Sequence, residues 1–209
     1  MDNIVQAANR MVGWVMRTFR RRSMGLMLTL WKTLIQSKLD YCSQLWSPSD
    51  QASITKLEGL ARAFTAKISG MEKLDYWDRL VKLRMYSQER RRERYQLIFI
   101  WKVSQGLVGG YSLPFQYSER RGATVLVPPM AIGCPASVRK AKEASLKVKG
   151  ARLYNLLPKE LRDMKGVSVN TFKTGLDSWL SAFPDQPTIP SRQRAALTNS
   201  LIDQVVLHP

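Results

Sequence analysis

Apolar residues recur at steps of three and four along most of the chain before Gly106, a spacing typical of amphipathic helices. The clearest case is the stretch from Leu28 to Trp46, which predicts one long helix at the core of the first half of the chain. Polar residues such as Gln36 and Lys38 fall between the apolar steps and are expected to face water. The positions expected to face inward are Leu30, Trp31, Leu34, Ile35, Leu39, Cys42, Leu45 and Trp46.

Capping residues divide the rest of the pattern into further helices. Ser47 precedes Pro48, and Asp50 lies three residues after the serine, which predicts a capping box at the start of the next helix. Further N-caps are predicted at Asp75, Ser87 and Ser168, with Gly106 ending the helix that Ser87 begins. The predicted helices span residues 4–19, 28–46, 48–68, 75–83, 87–105, 158–164 and 168–182, with a short one within 193–207.

After Gly109-Gly110, prolines and glycines interrupt any long helix. Ala123 to Val127 is rich in β-forming residues and predicts a strand, with a partner strand expected within residues 144–148. We therefore predict a mainly α fold, a helical bundle with a small β-hairpin in a loop-rich insertion. The predicted organisation is a bundle over 1–110, a C-terminal region with the β insertion and closing helices over 111–182, and a proline-rich linker and tail over 183–209.

The net charge of the chain indicates which class of partner it binds. The sequence has 33 Lys and Arg against 16 Asp and Glu, a net charge of +17, within 209 residues that are 44% hydrophobic. Residues 1–110 carry 19 basic and 9 acidic residues and residues 111–165 carry 11 and 4, whereas the last segment is balanced at 3 and 3. Such an excess favours a polyanionic partner, nucleic acid first and an acidic membrane surface second. A solvated basic surface without a dedicated ligand is the alternative.

The motifs of several catalytic and metal sites are missing from the sequence. It contains no adjacent pair of aspartates, and its single histidine is the penultimate residue, His208, which disfavours a two-metal site, a zinc cluster or histidine-based catalysis. The glycine-rich stretch 106–110 lacks the lysine and the Ser or Thr of a phosphate-binding loop. We expect no catalytic residue, no metal and no cofactor.

Cysteine use and hydropathy indicate a soluble intracellular protein, nuclear or cytoplasmic. Only Cys42 and Cys134 are present, too few for a disulfide framework. No uncharged apolar run approaches the roughly 20 residues that a membrane span needs, and the N-terminal residues lack the pattern of a signal peptide.

Aromatic residues divide into two groups. The six tryptophans fall on apolar helical faces and are expected in the core: Trp14, Trp31, Trp46, Trp77, Trp101 and Trp179. Tyr111, Phe115 and Tyr117 lie in the insertion beside Arg120 and Arg121, where they are candidates for stacking on unpaired bases.

Several motifs, taken in order, resemble a known family. The string from Leu34 to Pro48 resembles the segment just after the palm of reverse transcriptases encoded by non-LTR (LINE-type, jockey-like) retrotransposons. The likeness covers roughly residues 10–182. It continues through Asp75–Leu80 with Leu83, Arg90-Arg91 with Tyr95–Ile98, Trp101-Lys102, Gln105–Leu107, Arg152–Pro158 and Ser168–Lys173.

This resemblance implies the thumb and post-thumb region of an RNA-directed DNA polymerase without its catalytic palm. The palm of that family holds two metal ions on paired aspartates, which this chain lacks, so we expect a fragment that is not an enzyme by itself. The thumb of the family grips the template-primer duplex, which implies RNA or DNA as a partner and a palm domain as a partner in cis.

We expect the contacts to be basic side chains at helix surfaces, because such contacts to phosphates give sequence-independent affinity. For Arg20 to Arg22 the alternative is complementing a helix macrodipole, and for the arginines of residues 90–94 it is a paired structural cluster. For the basic cluster that begins at Arg139, the alternative is a nuclear-localisation signal. The candidates are Arg20, Arg21, Arg22, Lys32, Lys38, Arg90, Arg91, Arg94, Arg120, Arg121, Arg139 and Lys140.

Two other classes of function fit the same sequence. The chain could be a transposon-derived relic that folds only partly, which would expose apolar surface. It could also be a stand-alone helical module that binds an acidic protein through its basic face, without a nucleic-acid function.

Overall fold

A computed structural model describes residues 2–48, 50–109, 117–118, 124–187 and 199–207, and this part of the chain is mainly α-helical, as predicted. The helices are α1 (Asp2–Thr18), α2 (Met24–Leu30), α3 (Ser37–Asp40), α4 (Ser43–Trp46), α5 (Gln51–Thr65), α6 (Tyr76–Leu83), α7 (Gln88–Ser104), α8 (Ala136–Ala144), α9 (Ala151–Leu156), α10 (Lys159–Arg162), α11 (Val169–Leu180) and α12 (Leu201–Leu207). Two π-helical turns, π1 (Trp31–Gln36) and π2 (Leu146–Gly150), precede α3 and α9.

The chain forms two compact units. The first comprises residues 1–92 and 185–198, and the second comprises residues 93–184 and 199–209. The division falls within α7, whereas the sequence predicts a boundary near residue 110. Segments of the proline-rich tail belong to both units, although residues 188–198 lie outside the described ranges.

The first unit is built around α1, α5 and the helical run from α2 to α3. Its apolar residues face one another as the helical spacing predicts, and Trp31 and Phe64 pack with ring centroids 4.9 Å apart. Burying these side chains removes apolar surface from water, at about 25 cal/mol per Å². Its most deeply buried residues include Ala8, Val15, Met27, Trp31, Ile35, Leu39, Ala61, Phe64 and Ile68.

The predicted helix 28–46 is wrong as one continuous helix. It begins earlier, at Met24 after Ser23, passes through π1, and breaks at Cys42, whose φ of 51° is left-handed. Cys42 is exposed rather than inward-facing, and Gln36 is buried rather than exposed to water. The backbone of a π turn closes i→i+5 hydrogen bonds. Within π1 the two ends are also joined by their side chains, because Trp31 Nε1 donates to Gln36 Oε1 at 2.9 Å.

The cap that begins α5 also differs from the prediction. Asp50 is the N-cap, and its carboxylate accepts from Ser53 N at 2.8 Å. Ser47 instead donates its hydroxyl to the Ser43 carbonyl at 2.6 Å, at the end of α4. Asp50 therefore caps the helix itself rather than completing a capping box, and α5 begins at Gln51 instead of Pro48.

The other predicted caps are confirmed. Asp75 accepts from Trp77 N, the Ser87 hydroxyl accepts from Arg90 N at 3.1 Å, and the Ser168 hydroxyl accepts from Thr171 N at 3.1 Å. Gly106 follows α7 with a φ of 67°, a conformation that glycine adopts at no steric cost.

In the second unit, the part of α7 from Glu93 onward contacts α11 through Trp101 and the start of α12 through Glu93, which accepts from Leu201 N at 2.7 Å. Within the same unit α9 packs against α12, and α10 packs against α11. Trp101 stacks on Phe172 with ring centroids 4.4 Å apart and an interplanar angle of 6°. The indole N–H of Trp101 donates to the Met164 carbonyl at 3.0 Å, which satisfies the polar end of this buried ring.

The predicted strand at Ala123–Val127 is found as β2 (Thr124–Val125), but its predicted partner is wrong. The partner is β1 (Tyr117–Ser118), in an antiparallel register that pairs Tyr117 with Val125. Ala144 instead ends α8, Ser145 is an extended residue, and residues 146–148 lie in π2. The Asn155 side chain occupies the other edge of β2, accepting from Val125 N and donating to Val125 O, both at 2.8 Å.

Candidate nucleic-acid interface

The basic run Arg20 to Arg22 lies in the connection between α1 and α2. Arg20 and Arg21 are exposed and Arg22 is half-buried. The run lies beyond the end of α1, and the basic residue in the last turn of that helix is Arg17. The macrodipole role therefore belongs first to Arg17, which leaves Arg20 and Arg21 available to an external anion.

Main-chain contacts bring further cations to this end of the first unit. The Arg22 carbonyl accepts from Ser69 N at 2.9 Å, two residues after the exposed Lys67. Lys82 reaches the same turn, with its Nζ 3.4 Å from the Gly70 carbonyl. Glu72 is the acid of this turn, and its Oε1 accepts from Gly70 N at 3.2 Å. Arg22, Lys67 and Lys82 thus lie near this turn together with Glu72.

Lys32 and Lys38 are exposed on π1 and α3, as predicted for surface contacts. Within the described part of the chain neither forms an ion pair. Both ammonium groups are therefore available to a polyanion.

A shallow pocket of about 530 Å³ lies between α1 and the run from π1 to α3. Ala7, Met11 and Leu34 give it an apolar lining, whereas Arg10 and Lys38 bring the positive charge. Its sixth lining residue is Trp14, which is 46% exposed. The prediction that every tryptophan lies in the core is therefore wrong for Trp14.

Arg10 and Trp14 are not among the contacts predicted from the sequence, although their spacing indicates that they share one face of α1. Arg10, Trp14 and Arg17 lie four and three residues apart, which places them along one face of α1. Because the core face of the same helix carries Ala8 and Val15, a tryptophan aligned with two arginines belongs to the solvent side.

The arginines at the start of α7 support the structural alternative. Arg90 is fully buried, 4.0 Å from Asp185, so its guanidinium cannot meet a phosphate in this conformation. Arg91 Nη2 lies 2.8 Å from Asp40 Oδ2, and Arg94 Nε lies 2.5 Å from Asp177 Oδ1. We therefore remove these three arginines from the candidate surface, because their charges are used inside their own units.

Arg92, which belongs to the same arginine cluster, is a further internal cation. Its guanidinium lies 4.6 Å from the Trp46 ring centroid, and its Nη2 donates to the Leu39 carbonyl at 3.1 Å. Burial lowers the pKa of Arg92 to about 10. Its contacts satisfy a carbonyl at the end of α3, where the helix leaves its acceptors without intrahelical partners.

A buried carboxylate lies at the other side of the α7 N-terminus. Glu58 is 8% exposed and accepts from Gln88 N at 3.0 Å and from the Tyr76 hydroxyl. Burial raises the pKa of Glu58 to about 7, against the opposing effect of these hydrogen bonds. Burial and the neighbouring Glu58 together raise the pKa of Tyr76 above its usual range.

Gln36 extends this polar cluster toward α3. Its amide nitrogen donates to Asp40 at 2.7 Å, and its oxygen accepts from Gln88 Nε2 at 3.1 Å as well as from Trp31. Because every member has a partner of opposite hydrogen-bonding type, the cluster fixes α3, α5 and α7 in the first unit.

In the second unit, Arg139 and Lys140 lie on α8 and are exposed. None of the residues of α8 is buried, so this helix presents its cations to solvent on all sides. The other predicted contacts, Arg120 and Arg121, lie outside the described residues, as do Tyr111 and Phe115. Tyr117 lies in β1.

The described residues hold no group of three or more His, Cys, Asp or Glu side chains that could bind a metal ion. In the same ranges, no helix combines the length and the apolar character that crossing a membrane requires. What the arrangement offers chemically is an exposed set of cations with one exposed indole.

Comparison of the chain with protein-family models, with curated proteins and with solved structures gives no match.

Proposed function

We propose that the chain is a non-catalytic thumb and post-thumb part of a non-LTR reverse transcriptase, and that it binds template-primer nucleic acid through the basic surface of its first unit. One observation carries the binding proposal. Asp40, Asp177 and Glu93 are engaged by internal cations, whereas Arg20, Arg21, Lys32 and Lys38 are exposed.

This segregation of charge has a direct physical consequence. An internally paired arginine contributes little to the external field, whereas an unpaired exposed cation attracts phosphates and releases their counterions. The exposed cations Arg20, Arg21, Lys32 and Lys38 therefore supply positive charge that an anionic duplex can reach. The polymerase part of the proposal rests on the ordered motifs from Leu34 to Lys173.

A titration of binding against salt tests the binding part. The chain is mixed with a fluorescent RNA–DNA hybrid, and the logarithm of the observed affinity is plotted against the logarithm of salt concentration. The slope is expected to be about −0.9 for each phosphate neutralised. The double variant Arg20→Ala/Arg21→Ala is expected to bind more weakly with a slope shallower by about 2.

The matched control is Lys56→Ala/Lys159→Ala, which removes the same amount of positive charge from two exposed positions outside the proposed surface. Lys56 is already paired with Asp2 at 3.5 Å, and Lys159 lies on α10. This control is expected to keep nearly the parent slope. No binding at low salt, or an affinity that does not change with salt, would refute the nucleic-acid function.

The reading frame upstream of the Met1 codon tests the polymerase part separately. An in-frame palm with paired aspartates is the expected result, since the resemblance places such a domain before the thumb. Stop codons or an unrelated upstream sequence would refute that part and leave only a stand-alone binding protein or a relic. Capture of an acidic protein that survives nuclease treatment would favour the interaction module.

A further inference from the structure

Trp14 differs from the other tryptophans of the described chain in its surroundings. It is 46% exposed, whereas Trp31 and Trp101 are at most 1% exposed. Its nearest aromatic neighbour is Phe19, whose ring meets it edge-on at a centroid distance of 6.0 Å. An edge-on neighbour fixes the indole laterally, and its large exposed fraction leaves ring surface open to a ligand.

The pocket beside Trp14 combines an apolar lining with positive charge. Ala7, Met11 and Leu34 make its lining apolar, and its volume of about 530 Å³ lies within the range of small-molecule sites. Arg10 and Lys38 contribute positive charge, and among its described lining residues none is acidic. A ligand complementary to this pocket has a flat apolar ring and an attached negative charge.

We infer that this pocket binds the base of an unpaired nucleotide, stacked on Trp14, with the flanking phosphates paired to Arg10 and Lys38. The inference rests on the proposed nucleic-acid function and adds a preference for single-stranded ends beside a duplex. Bases within a duplex have both faces covered by their neighbours, whereas an unpaired base offers a free face to an aromatic side chain.

The inference is tested by comparing two ligands on the full chain. One is a blunt RNA–DNA hybrid and the other is the same hybrid with a short single-stranded overhang. The parent protein is expected to bind the overhang ligand more tightly by about 5- to 150-fold, which is the contribution of a base stacked on an aromatic side chain. Trp14→Ala is expected to lose that difference while keeping its affinity for the blunt hybrid, and Trp14→Phe is expected to retain most of it.

Tyr41→Ala is the matched control, because Tyr41 is an aromatic residue of the same unit that is 77% exposed and does not line the pocket. It is expected to leave the preference for the overhang unchanged. A thermal midpoint of Trp14→Ala close to that of the parent protein shows that the variant is folded, and Trp14→Phe supplies the same comparison with a smaller change.

The two proposals fail in different ways in this assay. If neither ligand binds, the nucleic-acid function itself is refuted. If both bind equally and Trp14→Ala changes nothing, the function stands and the base pocket is refuted. Equal weakening of both ligands by Trp14→Ala also overturns the inference, because it assigns the indole to the duplex or to the structure of α1.

Discussion

Glu58 makes the stability of the first unit depend on pH in an unusual direction. This carboxyl is 8% exposed, and burial raises its pKa from 4.5 to about 7. Between these two values the folded state holds a proton that the unfolded state releases. The stabilisation is therefore fully present below pH 4.5 and is lost as the pH rises through about 7.

The magnitude follows from the same shift. Each pKa unit corresponds to about 1.4 kcal/mol, so the full displacement of Glu58 amounts to about 3 kcal/mol. Most of this change falls between pH 5 and pH 7.5, where the expected loss of unfolding free energy is about 2 kcal/mol. Few other groups titrate in this window, because the sequence contains one histidine, His208.

Urea unfolding followed by tryptophan fluorescence at fixed ionic strength measures this dependence. The unfolding free energy of the parent protein is expected to fall from pH 5 to pH 7.5. Glu58→Gln is expected to flatten this dependence on pH, because the amide still accepts from Gln88 N and carries no titrating proton. Asp78→Asn, a change of an exposed acid in the same unit, is the control and is expected to keep the parent slope. A parent stability that rises over this range, or a slope that survives Glu58→Gln, would refute the reasoning.

Two other substitutions separate structural from surface roles. Arg90→Ala is expected to lower the unfolding free energy by about 1–3 kcal/mol in urea unfolding, since Arg90 is fully buried and lies 4.0 Å from Asp185. Arg139→Ala on exposed α8 is expected to change the unfolding free energy little. Equal effects of the two substitutions would contradict the internal assignment of Arg90. Asn155→Ala removes the oxygen that accepts from Val125 N, so the Val125 amide is expected to exchange its hydrogen faster. Asn170→Ala, at an exposed position of α11, is expected to leave this exchange unchanged. Unaltered exchange in Asn155→Ala would show that β2 does not depend on this side chain.

The exposed cations and the exposed indole of the first unit lie on elements whose cores are apolar. Arg10 and Trp14 share α1 with Ala8 and Val15, and Lys38 lies between the buried Ile35 and Leu39. The helices therefore hold Arg10, Trp14 and Lys38 on a packed scaffold, which reduces the entropy lost when a nucleic acid is bound, whereas Arg20 and Arg21 lie in the connection between α1 and α2.

The sequence by itself determined the class of fold and most of the caps. Helical spacing is a local property, so the mainly α architecture, α1, α6, α7 and α11, and the caps at Asp75, Ser87 and Ser168 follow from residues close in sequence. The composition determined the net charge and the lack of paired aspartates. The assignment to a reverse transcriptase thumb remains a prediction from the ordered motifs.

Only the tertiary structure decided which charges are internal. Arg91 and Asp40 are 51 residues apart in sequence, and Arg94 and Asp177 are 83 apart, so no local pattern reveals that they pair. The same holds for Gln36, buried by hydrogen bonds to Gln88, and for β2, whose partner is β1 and whose other edge bonds to Asn155. Spacing along a helix fixes which residues share a face. Packing between segments distant in sequence determines whether another element covers that face. This packing leaves Trp14 exposed to solvent and buries Arg90.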